Sequence, residues 1–395
     1  MTPNENTSLL SSNSAGENSR GRSISWKAFA KIVFLGLMAM GAGVFFFQGN
    51  RKDNERTATT TAIDNVLLRK KKANRECNNP SQTLTLVYEN KMKKLYSRDQ
   101  EKKYETSSVI VVDNLGYAIC DSSWSIYQFG LDLKKKDPSN VRLDDPTRED
   151  TAEEDSGYEA MSFHEGIFYV VRESIELEDE HGKDYHAMIE EIEIDDDDEY
   201  RIQRQCPTEF VFEGDSKGFE GVWAAADLAG DVILLGLCEG NHCSEENKND
   251  RGNGRIVVMK QSIMDDGSCL WETVRTVNIP PSANFLDYSA MAVSKDNTVA
   301  ITSQEDSQVW IGRLLGQQAD SGLWNVEELA FDDSSKILDF PKDDKCKTVY
   351  CNIEGIQWLD DGTLLAASDK MKGGGKQDSR CKTKDQSLHV FNVPE

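Results

Sequence analysis

Short apolar runs, each broken by a tight polar turn, recur along the chain from residue 81 onward, and one of them sets the pattern. Tyr158 to Glu173 reads YEAMSFHEGIFYVVRE: an acid-bearing apolar strand, a turn at Glu165-Gly166, and a second apolar strand closing on another acid. The same order returns as FEGVWAAADLAGDVILLGLCE (219–239), YSAMAVSKDNTVAITSQE (288–305) and IEGIQWLDDGTLLAASD (353–369). A looser copy, SVIVVDNLGYAICD, occupies 108–121. The repeats start roughly 50 to 70 residues apart, a period of propeller blades rather than of helical solenoids.

Between these pairs stand further apolar runs that supply third strands: 185–194, 254–261, 307–314 and 386–393. Weaker runs at 205–212, 272–279 and 325–331 supply fourth strands. Asp-Gly, Asp-Asn and Asn-Leu-Gly sit between paired strands, as hairpin turns require. No amphipathic helical period appears past residue 81. The pattern predicts an all-β propeller over 81–395, its edges protected by radial repetition. A strand near Thr83–Tyr88 is expected to complete the sheet begun by the last repeat. Five repeats give five blades; six is the alternative if 81–107 hides a divergent blade.

In such a ring the start of each first strand and the end of each second strand meet at one mouth of the central channel. That places Glu159, Glu220 and Glu354 with Asp121, Glu173, Glu239, Glu305 and Asp369, while Ser108 and Ser289 stand where the other two repeats would carry the leading acid. Converging carboxylates in a narrow channel need protons, basic groups or a hard cation. The three leading glutamates are the candidate metal ligands, with Ca2+ the candidate ion, and the five strand-end acids are candidate mouth residues. A competing reading has those five capping turns or bonding backbone N–H groups of neighbouring blades. Small residues follow each leading glutamate (Ala160, Gly221, Gly355), room for a close approach of backbone or ligand.

Charge narrows the partners. Residues 1–76 hold 12 Lys+Arg and 6 Asp+Glu of totals of 45 and 69, leaving 33 against 63 beyond them. So acidic a domain repels nucleic acid and favours cations or basic partners. All nine cysteines lie past residue 76, and their spacing fits disulfides better than a zinc site. Cys238/Cys243 and Cys346/Cys351 are close in sequence, but spacing leaves the pairing open, and an odd count leaves one thiol over or bonded to another chain.

The N-terminal region reads differently. A charge-free apolar run, Ile32 to Phe47, predicts one transmembrane helix over 26–48. Around it the expectation is a disordered cytoplasmic tail (1–25) and a polar stalk (49–80). The tail carries a dileucine-like stretch, Glu5 to Leu10. Cysteine placement orients the propeller to the lumenal or extracellular side, giving a single-pass type II membrane protein of the plasma membrane or of endomembranes such as the vacuole.

The phrase Glu-Gly-apolar-x-aromatic, then Asp-Gly, then a strand ending in an acid, is best seen at 353–369 and echoed at 291–312. It resembles the propeller group of the SdiA-regulated family and the esterase-like phytase domain. Glu220-Gly221 and Glu354-Gly355 are more distantly similar to the regucalcin and gluconolactonase propellers, where the resemblance implies that the Glu binds a divalent metal. The proline that follows in that pattern is replaced by Val222 and Ile356. The cations near the motifs, Arg172, Lys217 and Lys370, are too few for a polyphosphate. No Gly-x-Ser-x-Gly elbow, Walker loop or His-Glu-x-x-His is present, and the five histidines are scattered. Two functions follow. The first is a membrane-anchored binding module for an unidentified small-molecule or protein ligand, with Ca2+ in the channel. The alternative is a divalent-metal-dependent, phytase-like hydrolase of an ester, lactone or phosphate.

Overall fold

The computed structural model describes residues 77–96, 103–148, 155–179, 182–195, 199–215, 217–239, 243, 251–360, 362–374 and 377–394. The first strand, β1 (Thr85–Lys91), is followed by a four-residue helix, α1 (Met92–Leu95). Four antiparallel strands then form a sheet in chain order: β2 (Thr106–Val112), β3 (Leu115–Cys120), β4 (Ser123–Gly130) and β5 (Val141–Leu143). The next four are β6 (Tyr158–His164), β7 (Ile167–Asp179), β8 (Gly182–Ile194) and β9 (Tyr200–Phe212). They are succeeded by β10 (Phe219–Ala226), β11 (Val232–Cys238), β12 (Arg255–Ile263) and β13 (Cys269–Asn278). These last two groups share one eight-stranded sheet through a single parallel bridge, Thr208 to Trp271, reinforced by the Cys206–Cys269 disulfide.

The remaining strands repeat the plan. β14 (Ala290–Val293), β15 (Thr298–Ser303), β16 (Gln308–Leu315) and β17 (Ala330–Asp339) form one sheet; β18 (Ile353–Asp360), β19 (Thr363–Ser368) and β20 (Ser387–Asn392) form the last, with β1 as its outer strand. Among the described residues, 81–107 thus supplies β1, α1 and the start of β2, and no sheet of its own. The expected fourth strand at 325–331 is displaced: Val326–Glu328 is a 3-10 turn capped by the Asn325 side chain, and the strand begins at Ala330.

First strands β2, β6, β10, β14 and β18 touch in that order and close on themselves, β18 against β2. Five apolar clusters fill the spaces between successive four-strand groups. Each sheet therefore buries both faces, which is why its central strands are almost wholly apolar. The fold is all-β and propeller-like. Two-residue turns join the first two strands where both residues tolerate positive φ: Asp113-Asn114 (49° and 65°) and Glu165-Gly166 (48° and 90°).

Disulfides join Cys77 to Cys346, Cys206 to Cys269, Cys238 to Cys243 and Cys351 to Cys381. Of the two sequence-close pairs only Cys238/Cys243 is bonded, because Cys346 is taken by Cys77 and Cys351 by Cys381. Cys120 takes no part in these bridges and is buried.

The expectation of a single-pass type II membrane protein is corrected. No helix among the described residues is long and apolar enough to cross a membrane. The span expected at 26–48, the tail at 1–25 and the stalk as far as residue 76 lie outside the described residues.

Candidate functional site

The pairing register explains where the leading glutamates go. Tyr158 pairs with Arg172, Phe219 with Cys238 and Ile353 with Ser368; then the register shifts and Ala160, Gly221 and Gly355 take the next partners. Glu159, Glu220 and Glu354 are therefore each the extra residue of a β-bulge, freed from strand pairing. A bulge re-aims its side chain. In the first sheet the bulge falls on Ser107, one residue before the expected Ser108. Ser107 Oγ accepts from the Asp121 N–H at 3.1 Å, and Ser108 Oγ accepts from the Met161 N–H at 3.2 Å, tying neighbouring first strands. β14 has no bulge, and Ser289 donates to the Ile353 carbonyl at 2.8 Å.

The small residues after the glutamates serve backbone approach. A Cβ on Gly221 would lie 2.9 Å from Met291 N of β14, and one on Gly355 would lie 2.9 Å from Val109 N of β2. The channel between the first strands, lined by Ser108, Met161, Glu220, Met291 and Gln357 among others, has a cavity volume of about 20 Å³. That admits about one water. An organic ligand must bind at the mouth, not within.

At that mouth the acids act on one another. Glu159, Glu220 and Glu354 are each half-buried, and Glu220 lines the channel. Burial is the leading reason that all three carboxyls sit well above the usual carboxylate range. For Glu159 the charges of Glu220, Glu173, Glu354 and Asp121 add to it. Glu239 adds to it for Glu220, and Asp369 for Glu354, while Lys372 tempers both. Burial, then Asp369 and Glu105, push Asp121 to about 8. Burial likewise takes Asp369 to about 7 against a backbone hydrogen bond from Lys370. Glu173 is raised by burial, Glu239 and Asp215, and a hydrogen bond with Glu159 tempers the rise. Asp121 Oδ1 and Asp369 Oδ1 are buried and make no hydrogen bond.

Seven of the eight expected acids therefore share one electrostatic environment: Glu159, Glu220, Glu354, Asp121, Glu173, Glu239 and Asp369. Glu305 stands apart. It is exposed, and its charge reaches Asp287, whose carboxylate burial raises to about 6. Asp287 accepts from the Gln304 and Glu305 N–H groups at 3.1 and 3.2 Å, so it performs the turn-capping role considered for the strand-end acids. Among the described residues no group of three or more His, Cys, Asp or Glu side chains is arranged to hold a metal ion. The donors are hard oxygens of the kind Ca2+ takes.

Among the described residues, four lysines meet the acids. Lys217 pairs with Glu239 at 3.2 Å; Lys103 and Lys370 flank Glu105 at 2.6 and 2.8 Å; Lys372 acts on Glu220, Glu354 and Asp369. Lys103, Glu105, Asp287 and Lys372 escape the repeat-based reading. Glu105 and Asp287 lie just upstream of the two repeats that lack a leading acid, a signal the sequence carries. Arg172 belongs elsewhere: with Arg148 it stacks on Trp124 (4.7 and 3.7 Å) and reaches the buried Glu190, a bridge between the first two sheets.

His389 is not isolated. Its ring bonds Ser368 on one side and Glu89 on the other, at 2.6 and 2.9 Å.

No family model and no curated protein sequence matches the chain. Solved structures do overlap it. Glutaminyl cyclase of Myxococcus xanthus is 9% identical, with 80% of this chain and 98% of that one covered at a TM-score of 0.40. Selenomethionine-substituted virginiamycin B lyase of Staphylococcus aureus is 10% identical, with 77% and 98% covered at 0.34. A luciferin-regenerating enzyme is 7% identical, with 77% and 94% covered at 0.34. Overlap of this extent identifies neither a family nor an activity, and the resemblance to the esterase-like phytase group gains nothing from it.

Proposed function

We propose that the chain is a five-bladed propeller whose carboxylate-ringed mouth binds a cationic ligand, exchanging the protons of its buried acids for the ligand's positive charge. Five blades follow if the eight-stranded sheet is counted as two groups joined at their outer strands. The observation that carries the binding reading is the set of three bulges, which leave Glu159, Glu220 and Glu354 out of strand pairing, with Glu220 and Glu354 both acting on Glu159. A strand gains nothing from carrying an acid there, and burial there is costly unless charge is neutralised.

The spread of the acids favours a ligand that presents several positive groups, such as a polyamine or a basic peptide segment. Ca2+ is the simplest alternative occupant, and the metal-dependent hydrolase reading requires it or another divalent ion. Because the acids do not converge as a metal centre, no catalytic step is derived through one. Titration calorimetry of the whole protein with spermidine and, separately, with Ca2+ distinguishes these. The proposal expects spermidine binding that is lost in the Glu159→Gln/Glu220→Gln/Glu354→Gln protein. Absence of spermidine binding to the wild type sinks it, and Ca2+ binding alone returns the metal reading.

A further inference from the structure

Ser368, His389 and Glu89 stand on one face of the last sheet, on three adjacent strands. His389 is directly opposite Glu89 across β20 and β1, and diagonal to Ser368 across β20 and β19. Ser368 Oγ lies 2.6 Å from His389 Nε2, and His389 Nδ1 lies 2.9 Å from Glu89 Oε2. Burial alone would raise the Glu89 carboxyl, but hydrogen bonds from His389 and Lys384 outweigh it and hold Glu89 at about 2. An ionised carboxylate only accepts, so Nδ1 carries the ring proton. Nε2 is then left to accept the Ser368 hydroxyl proton. Tyr350 braces the arrangement, its ring edge-on to His389 at 5.0 Å and its hydroxyl 3.4 Å from Glu89. The sequence is that of nucleophile, base and orienting carboxylate.

We propose that Ser368 is an acyl-transfer nucleophile served by His389 and Glu89, acting on small neutral or cationic carboxylic esters. Oγ attacks the ester carbonyl carbon as its proton passes to Nε2. The carbon–oxygen bond to the alcohol then breaks, and the leaving oxygen takes that proton. Water attacks the acyl-serine by the same relay, releasing the acid and restoring the hydroxyl. Charge sets the substrate class. Ser368 borders a recess lined by Asn352, Asp369, Met371, Gln377, Lys384 and Asp385. The one cation of the described lining, Lys384, is paired with Glu89, and Asp385 with Lys91, so the recess has no spare positive charge for phosphate esters or anionic acyl groups. Ser368 is 2% exposed and the recess as it stands has no room for even a water, so its lining must open for an ester to arrive, which restricts the substrate to small molecules. This route needs no metal and draws on residues separate from the bulged glutamates.

The test is covalent labelling of the whole protein with diisopropyl fluorophosphate, a small neutral probe of activated serines, read by intact mass and peptide mapping. The expected result is one adduct, on Ser368, absent in Ser368→Ala and slowed at least about 100-fold in His389→Gln. If a variant does not fold, mapping of the wild type decides alone. A wild type that is folded by circular dichroism yet unmodified at Ser368, while a serine protease in the same tube is fully modified, overturns the proposal: the trio then only ties strands together. Labelling of His389→Gln at the wild-type rate overturns it equally. Spermidine binding is unaffected by either outcome, so failure here and failure of the mouth reading are distinguishable.

Discussion

Asp121→Asn isolates the cost of holding acids at the mouth. Asp121 directly follows β3, its Oδ1 is buried without a hydrogen bond, and burial with Asp369 and Glu105 lifts its carboxyl from 3.8 to about 8. A raised carboxyl binds its proton more tightly folded than unfolded. Its contribution is therefore neutral below the unfolded value and increasingly destabilising as pH rises toward the folded one. About three pH units separate 3.8 from neutrality, and each is worth about 1.4 kcal/mol. The folded state thus loses on the order of 4 kcal/mol at pH 7, an upper figure because neighbouring groups and water relax around the charge. Asparagine keeps the shape and removes the charge. Urea unfolding of both proteins from pH 4 to pH 8 should show equal stability at pH 4 and a growing advantage for Asp121→Asn above it, reaching roughly 2 to 4 kcal/mol at pH 7. Comparing the two proteins at each pH cancels the titration of groups remote from Asp121, while the easing of Glu159 and Glu354, which its charge raises, forms part of the measured advantage. A difference that is flat with pH, or a variant less stable than wild type at pH 7, refutes the reasoning.

Other consequences are independent of this one. Gly355→Ala should lower stability by about 1 to 3 kcal/mol, read by thermal unfolding, because its Cβ would meet backbone of β2 at Val109 N and Ser108 C, which cannot yield. Glu190→Ala should cost roughly 3 kcal/mol or more in urea, since it strips Arg148 and Arg172 of their buried partner and frees the Tyr158 hydroxyl bonded to it at 2.7 Å. His389 is held neutral chiefly by burial, with its value lowered from 6.5. Its contribution is full above pH 6.5 and declines as pH falls below it, by at most about 1.4 kcal/mol per unit, a slope that His389→Gln should remove from the unfolding profile.

How much of this was legible beforehand depends on the range of the interaction. The two-strand phrase at 158–173 and its relatives were readable because strand period and hairpin turns are local, and Glu165-Gly166 forms the turn its composition demands. The closing strand was readable from simple pairing logic. The bulges were not: nothing in YEAM or FEGV marks the glutamate as the unpaired residue, and in the first repeat the bulge moves to Ser107. Lys372 lies beyond the repeat, in a loop that returns to the mouth. The Ser368–His389–Glu89 relay joins residues as many as 300 positions apart, and only ring closure through β1 brings the carboxylate to the histidine. Arg172, adjacent to Glu173, looked like a mouth cation, but strand alternation turns it away to Trp124 and Glu190.

A mouth that trades protons for a cationic ligand, as proposed, must release protons on binding, and those protons can be counted. Spermidine is added at pH 6.5 to weakly buffered whole protein, with the proton change followed in a pH-stat and confirmed by calorimetry in two buffers of different ionisation enthalpy. Saturable proton release that tracks binding, and is lost in the Glu159→Gln/Glu220→Gln/Glu354→Gln protein, is the expected result. Binding without proton release, or release undiminished in that variant, contradicts it.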